Sequence, residues 1–236
     1  MTTPPAPDAA VRLAAVQATI ARAAKDAHRN AADITLVAVS KTHAAAAIQP
    51  LIDAGQRVFG ENRIAEAAAK WPALRAADAG IALHMIGQLQ SNKAAAAVEL
   101  FDVIHSLDRP SLVTALAHAM DKAGRRVRCF IQVNLDPLAL ALGEGQNRRG
   151  VGKGGCAPAA LPALLEQARG ADIDVIGLMT VPPAGLEPAP WFALLAKIAD
   201  DHGLVGLSMG MSGDYATAVT IGATHVRVGT ALFGTR

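Results

Sequence analysis

The sequence is poor in cysteine, in aromatic residues and in net charge. Only two of its 236 residues are cysteine, 3% are aromatic, and the formal charge at pH 7 is +2. Cys129 and Cys156 show no CxxC or Cys/His zinc spacing, which excludes a disulfide framework and favours a reducing, cytoplasmic setting. Few rings and scattered basic residues argue against a nucleic-acid partner, which requires clustered Lys/Arg and stacking surfaces.

Long apolar runs and targeting signals are also missing. The apolar stretch 44–48 falls far short of the roughly 20 residues that span a bilayer, so we expect no membrane segment. Residues 1–7 lack a basic region followed by an apolar one, and we expect them to be flexible rather than to form a signal peptide. The seven histidines include no HxH or HExxH spacing, so the sequence predicts no metal site.

Apolar residues are abundant, at 52%, and they alternate between two kinds of segment. Short runs rich in Val, Ile and Leu predict strands at 35–40, 57–60, 82–87, 103–107, 128–134, 175–180, 206–210 and 225–229. Alanine-rich segments between them predict helices, and Asp8 is a candidate cap for a leading helix. Eight such units predict an α/β fold, a single-domain (β/α)8 TIM-type barrel over residues 1–236 with an extra N-terminal helix.

Two features leave alternatives to this barrel open. A doubly wound open sheet uses the same alternation of strands and helices. The glycine-rich segment 135–155 interrupts the fifth unit, and its length predicts a mobile or functional loop.

Lys41 is the strongest candidate for a reactive side chain. It follows an apolar strand, so in a barrel it is expected at the floor of the mouth, where desolvation favours the neutral amine that attacks a carbonyl. Its reference pKa, about 10.4, must fall by about three units for a mostly neutral amine near pH 7. The alternative is a structural lysine that snorkels at the strand end or pairs with Glu61.

The last two units carry an anion-binding pattern and a buried cation. Small residues after strands seven and eight let backbone N–H groups approach a phosphate, although glycine and serine are also common turn residues. In strand eight, alternation directs His225 and Arg227 to one face. An arginine inside the barrel needs an acceptor, such as a cofactor ring nitrogen or a carboxylate like Asp214.

Five ordered motifs resemble the PLP homeostasis protein family, whose members bind pyridoxal 5′-phosphate (PLP) on a barrel related to that of alanine racemase. The motifs are Val37–Thr42, Phe59–Arg63, His84–Lys93, Ser208–Ser212 and Val226–Gly234. The resemblance implies an internal aldimine between PLP and Lys41, with Arg227 facing the pyridine nitrogen. The residues that it implies for the phosphate and the ring are Ser208, Gly229, Thr230 and Asn62.

Two positions depart from the family pattern. Gln88 stands where the family usually has proline, which alters the loop after strand three without removing a ligand. The segment after Asn134 is longer than the family's Lys-x-Gly loop, and either Arg148–Gly150 or Lys153–Gly155 is its counterpart, so no role is carried to it.

The implied chemistry favours a carrier over a catalyst. An arginine at the ring nitrogen discourages the protonation that makes PLP an electron sink. Racemisation also needs a second acid/base group, which alanine racemase takes from a tyrosine in a second domain, and Tyr215 is the chain's only tyrosine. The expected function is intracellular PLP homeostasis as a monomer that buffers PLP and passes it to PLP-dependent apoenzymes, with little or no turnover.

Two other functions stay open at this point. The first is an amino-acid racemase or other fold-type III PLP enzyme in which His84, His105 or a cysteine supplies the missing base. The second is a cofactor-free Schiff-base aldolase, which shares a reactive barrel lysine.

Overall fold

The computed structural model describes residues 8–136 and 154–234. Within these residues eight parallel strands close into a barrel, paired in chain order. The strands are β1 Thr35–Val39, β2 Val58–Glu61, β3 Ala82–Met85, β4 Val103–Leu107, β5 Arg128–Gln132, β6 Val175–Met179, β7 Gly206–Met211 and β8 His225–Val228. The predicted TIM-type barrel is confirmed, and the open sheet is wrong because β8 pairs with β1, with Arg227 opposite Val37.

Helices follow the strands and surround the barrel. They are α1 Ala9–Asp26, α2 Ala45–Asp53, α3 Ile64–Ala77, α4 Ala94–Leu100, α5 Pro110–Ala123, α6 Leu161–Gly170, α7 Ala189–Asp201, α8 Tyr215–Ile221 and α9 Thr230–Phe233. Helix α5 shows how the sequence sets their bounds, since it starts with proline and stops at Gly124, which adopts a left-handed φ of 60°. None of the helices in the described ranges combines the length and apolarity needed to cross a bilayer.

The leading helix α1 covers the helices at the end of the chain. Its buried face carries Leu13, Val16, Ile20 and Ala24 at helical spacing, as the sequence predicts. The Arg12 side chain donates a hydrogen bond of 2.5 Å to the Leu232 carbonyl, which ties α1 to α9. Asp8 precedes the helix, but its exposed side chain makes no capping hydrogen bond within the described residues, so that detail of the prediction is wrong.

The predicted loop 135–155 is described only at its ends, because residues 137–153 lie outside the described residues. Strand β5 stops two residues before the predicted end. After it, Val133 forms an isolated bridge with Cys156, and the Asn134 N–H donates to the Cys156 carbonyl. The two described ends of the loop are therefore held side by side.

The barrel interior combines close packing with buried polar groups. Val103, Phe130 and Met179 form an apolar cluster inside it. Strands β6 and β7 approach so closely that a Cβ on Gly177 would lie 2.0 Å from the Gly206 carbonyl oxygen. Side chains that are polar and buried include His84, His105, Ser208 and Arg227. Buried polar groups need partners, and these four find them in one another.

Candidate functional site

A small cavity lies at the C-terminal rim of the barrel, where β1 and β8 end. Its lining comprises Val39, Lys41, His43, Gly229, Thr230 and Gly234, and its volume is about 120 Å³. Typical small-molecule sites measure about 300–1,000 Å³, so this cavity has the size of a ligand's anionic end rather than of a whole cofactor. A larger cavity of about 540 Å³ lies at the opposite end of the barrel, beside α1.

Lys41 reaches this cavity from the turn that follows β1. Its side chain is exposed, so the expected burial at the floor of the mouth is wrong. The reason is that β1 ends at Val39 and a turn begins at Lys41, whereas Ser40 stays fully buried. The alternative ion pair with Glu61 is also wrong, because the buried Glu61 carboxylate pairs with Lys70 at 2.8 Å.

The far side of the cavity is formed by backbone from the end of β8. The Gly229 N–H donates to the Ser212 hydroxyl at 3.1 Å, which joins the loops after β7 and β8. A Cβ on Gly229 would lie 3.4 Å from both Cβ and the carbonyl oxygen of Val39. A larger side chain at this position would therefore fill the space between the two strands. Small residues here leave room for an anion beside backbone N–H groups.

Ser208 lies below this cavity and does not line it. Its side chain is fully buried inside the barrel, and its oxygen is 2.8 Å from His105 Nδ1. The same oxygen accepts a hydrogen bond of 2.6 Å from Arg227 Nη1. The structure thus brings Lys41, Gly229 and Thr230 together on one cavity and links Ser208 to Arg227 in a deeper layer.

Arg227 is a buried cation with unused donors. Besides the bond to Ser208, its Nη2 donates to the Thr180 carbonyl at 2.9 Å. A guanidinium has five N–H groups, so three of them have no partner among the described residues. Burial lowers the pKa of Arg227 to about 10 against the opposing effect of Asp214, and the side chain stays protonated at neutral pH. The expected alternative, an ion pair with Asp214, is not formed within the described ranges, where the Asp214 carboxylate accepts from the Met211 N–H at 2.5 Å.

Three histidines below Arg227 are held neutral. His84 Nδ1 lies 3.0 Å from His105 Nε2. Burial first, and neighbouring positive groups second, lower the pKa of His84 to about 3, that of His225 to about 4 and that of His105 well below its usual range. His105 contacts the Ser208 hydroxyl through Nδ1 and His84 through Nε2. A neutral imidazole donates from one nitrogen and accepts at the other, so the tautomers of His105 and His84 depend on each other.

Asn62 directly follows β2, the strand that pairs with β1 beside the cavity. Its Oδ1 is buried and has no hydrogen-bond partner among the described residues. Its backbone packs so closely on the next rim loop that a Cβ on Gly87 would lie 2.3 Å from the Asn62 carbonyl oxygen. An unpaired buried acceptor costs about 1–3 kcal/mol, so a bound molecule that pairs with it gains stability.

Gln88, the departure from the family pattern, has a partner two strands away along the rim. Its Nε2 donates to the Gln132 side-chain oxygen at 2.6 Å, and Gln132 donates to the Gly154 carbonyl at 2.6 Å. This glutamine therefore links the end of β3 to the end of β5, a contact that proline cannot make.

The sequence places Ser212 in the small-residue loop after strand seven but gives it no individual role, whereas the structure bonds it to the Gly229 N–H. Sequence reasoning missed Lys70, which is buried on α3 and bonds the loop that carries Lys41. Its spacing of four from Glu66 predicts a helix pair, but nothing in the sequence shows that the pair is turned toward the barrel. Among the described residues no group of three or more His, Cys, Asp or Glu side chains is arranged to hold a metal.

Fold and site together define a barrel of the alanine racemase type, with a lysine after the first strand and an anion-sized cavity beside it. The family described as "Alanine racemase, N-terminal domain" matches residues 11–236. A Pseudomonas aeruginosa protein named pyridoxal phosphate homeostasis protein is 39% identical over 233 residues, covering 96% of this chain and 95% of that protein. The chain therefore belongs to the pyridoxal phosphate homeostasis protein family, which shares this barrel.

Solved structures agree with this assignment. PipY of Synechococcus elongatus, determined with PLP bound, has a TM-score of 0.81 and 38% sequence identity, covering 96% of this chain and 100% of its own. Alanine racemase from Streptomyces coelicolor has a TM-score of 0.64 at 22% identity, and the match covers 95% of this chain and 59% of the racemase chain. The second likeness shows the shared fold alone.

Proposed function

We propose that this chain binds PLP as an internal aldimine on Lys41 and acts in PLP homeostasis as a carrier or buffer with little or no turnover. The observation that carries the proposal is the shared cavity of Lys41, Gly229 and Thr230. The cavity thus combines a primary amine with a backbone-lined recess of the size of an anion. PLP has the two groups that such a site recognises, an aldehyde and a phosphate.

The covalent step requires only the amine and the aldehyde. The lone pair of the Lys41 amine attacks the aldehyde carbon and a C–N bond forms. The aldehyde oxygen then leaves as water with two hydrogens from the nitrogen, and a C=N bond remains. The exposed position of Lys41 lets PLP enter from solvent and lets water return to release it, as a carrier requires.

The other residues suit the remaining parts of PLP. We assign the phosphate to the backbone of Gly229 and Thr230 beside Ser212, and the pyridine nitrogen to a spare N–H of Arg227. The unpartnered Asn62 oxygen is available to the ring's substituents. Ser208, which the family resemblance assigns to the phosphate, we assign instead to holding Arg227, because its hydroxyl is buried between Arg227 and His105.

The site's electrostatics support a role without turnover. A protonated arginine at the pyridine nitrogen disfavours the protonated ring that carbanion chemistry uses. The residues proposed as a racemase's second base are unsuited to the task. With a pKa of about 3, His84 is a weak base at neutral pH. Burial raises the pKa of Cys129 to about 12, with a further contribution from Asp174, so its thiol stays protonated.

The likeness to PipY supports PLP as the ligand, since a structure of that protein has PLP bound. We further propose that the chain works in the cytoplasm as a monomer and delivers PLP to PLP-dependent apoenzymes.

The spectrum of the purified protein tests the proposal. We expect PLP to produce the visible absorbance of a lysine imine, and borohydride to convert it into a stable adduct that mass spectrometry locates on Lys41. Pyridoxal, which lacks the phosphate, should bind more weakly because the anion recess stays unfilled. Fast exchange of amino-acid α-protons in deuterated water would contradict the carrier role, and a protein that stays colourless with excess PLP would exclude the imine.

A Ser212→Ala variant tests the phosphate side separately. Ser212 fixes the Gly229 backbone through one neutral hydrogen bond, which is worth about 0.5–1.5 kcal/mol. We expect the affinity for PLP to fall by about two- to tenfold, and the affinity for pyridoxal to change little. Titration of the imine absorbance with both aldehydes measures the difference. Equal losses for the two would show that Ser212 does not act through the phosphate.

A further inference from the structure

A buried cluster of one lysine and two glutamates lies directly beneath the loop that carries Lys41. Lys70 is only 8% exposed, and its ammonium group donates to the carbonyls of Ser40 and His43, both at 2.9 Å. Its counter-charges are Glu61 at 2.8 Å and Glu66 at 2.9 Å. Because Ser40 and His43 flank the pair Lys41–Thr42, one ammonium group fixes both ends of that pair.

The two glutamates accept hydrogen bonds from other polar groups of the same loop. The Ser40 hydroxyl donates to Glu61 Oε1 at 2.5 Å, and the Trp71 indole N–H donates to the same oxygen at 3.0 Å. The Thr42 backbone N–H donates to Glu66 Oε1. Ser40, Thr42 and His43 are thus all bonded to the cluster.

The loop has a backbone conformation that needs such support. Thr42 has a φ of 66°, in the left-handed region that a β-branched residue seldom adopts. Backbone of this kind persists only where the surroundings hold it in place, and it is concentrated at functional sites. On the other side of the loop the His43 ring stacks on Phe233, with centroids 4.3 Å apart and planes 14° apart, so the loop is also bound to α9.

We infer that Lys70, balanced by Glu61 and Glu66, is a positioning residue that sets the geometry of Lys41 for imine formation. This inference rests on the proposed function. Burying an ammonium group is costly unless every donor is used, and here the donors go to the two carbonyls that flank Lys41–Thr42 and to Glu61 and Glu66, which bond the same loop. Helix α3 uses a different residue for structural pairing, since Arg75 binds Asp102 at the other end of the barrel.

The test compares Lys70→Met with Arg75→Met, two changes on one helix that each remove a cation but keep an apolar stem. In Lys70→Met we expect the rate of imine formation with PLP to fall by at least about tenfold, because small displacements of a reacting group have effects of this size. In Arg75→Met we expect the wild-type rate. Stopped-flow absorbance gives the rates, and circular dichroism verifies that each variant is folded.

If Lys70→Met does not fold, the variants Glu66→Ala and Glu66→Gln test the same inference. Glu66 has a side chain 27% exposed, so its replacement disturbs the core less. Glutamine keeps an acceptor for the Thr42 N–H and alanine removes it, so we expect Glu66→Ala to lose more of the rate than Glu66→Gln. Wild-type rates in both Lys70→Met and Glu66→Ala would overturn the inference and leave the proposed function intact. A wild-type protein that forms no imine would instead remove the proposed function itself.

Discussion

A Lys41→Ala variant is expected to give no visible absorbance with PLP and no adduct that borohydride preserves. The imine needs a primary amine at the cavity, and alanine leaves none there. Because the Lys41 side chain is exposed and turns away from the core, we expect its removal to change the free energy of unfolding by no more than about 0.5 kcal/mol. Absorbance, mass spectrometry and denaturant unfolding of the same preparation measure all three quantities.

Lys93→Ala is the matched control for this variant. Lys93 is also an exposed lysine on the C-terminal rim, at the end of the short helical turn Ser91–Lys93. We expect Lys93→Ala to keep the wild-type spectrum and the adduct on Lys41. A stable adduct on another lysine in Lys41→Ala, or loss of the spectrum in Lys93→Ala, would contradict the assignment of the amine.

The barrel was predictable from the sequence because its signals are local and repeated. Each strand is a short apolar run with a turn after it, and buried parallel strands need such runs since both faces are covered. The count of eight units favours a closed barrel over an open sheet, and the pairing of β8 with β1 confirms the closure. Strand ends are less certain: at β5 the predicted continuation to Asn134 is replaced by a bridge to Cys156, a residue far along the chain.

The details of the site were less predictable because they depend on depth and on contacts between distant residues. Sequence alternation shows which face of a strand a residue occupies, but not how far along the barrel axis it lies. Ser208 and Ser212 therefore look alike in sequence, although one is bonded to Arg227 in the interior and the other reaches the rim. The burial of Lys70 depends on how α3 packs over β2, which no local pattern encodes.

An Arg227→Met variant is expected to stay folded yet to bind PLP about ten- to a hundredfold more weakly, since hydrogen bonds from charged groups are worth about 1.5–3 kcal/mol. Burial lowers the pKa of Arg227, so at neutral pH the folded state disfavours the protonated guanidinium that it contains. Within the described residues the side chain bonds only a hydroxyl and a carbonyl, not a carboxylate. Methionine removes that charge and fills a similar volume, so we expect little net change in stability.

Comparing PLP binding with stability tests whether Arg227 serves the cofactor or the barrel. Imine titration gives the affinity of Arg227→Met, and thermal unfolding without PLP gives its stability. Arg126→Met is the control, because Arg126 pairs with Asp121 at 2.6 Å on the surface and should affect neither measurement. A large loss of stability with unchanged affinity would show that Arg227 serves the barrel rather than the cofactor, because the guanidinium would then be holding Ser208 and Thr180 for packing alone.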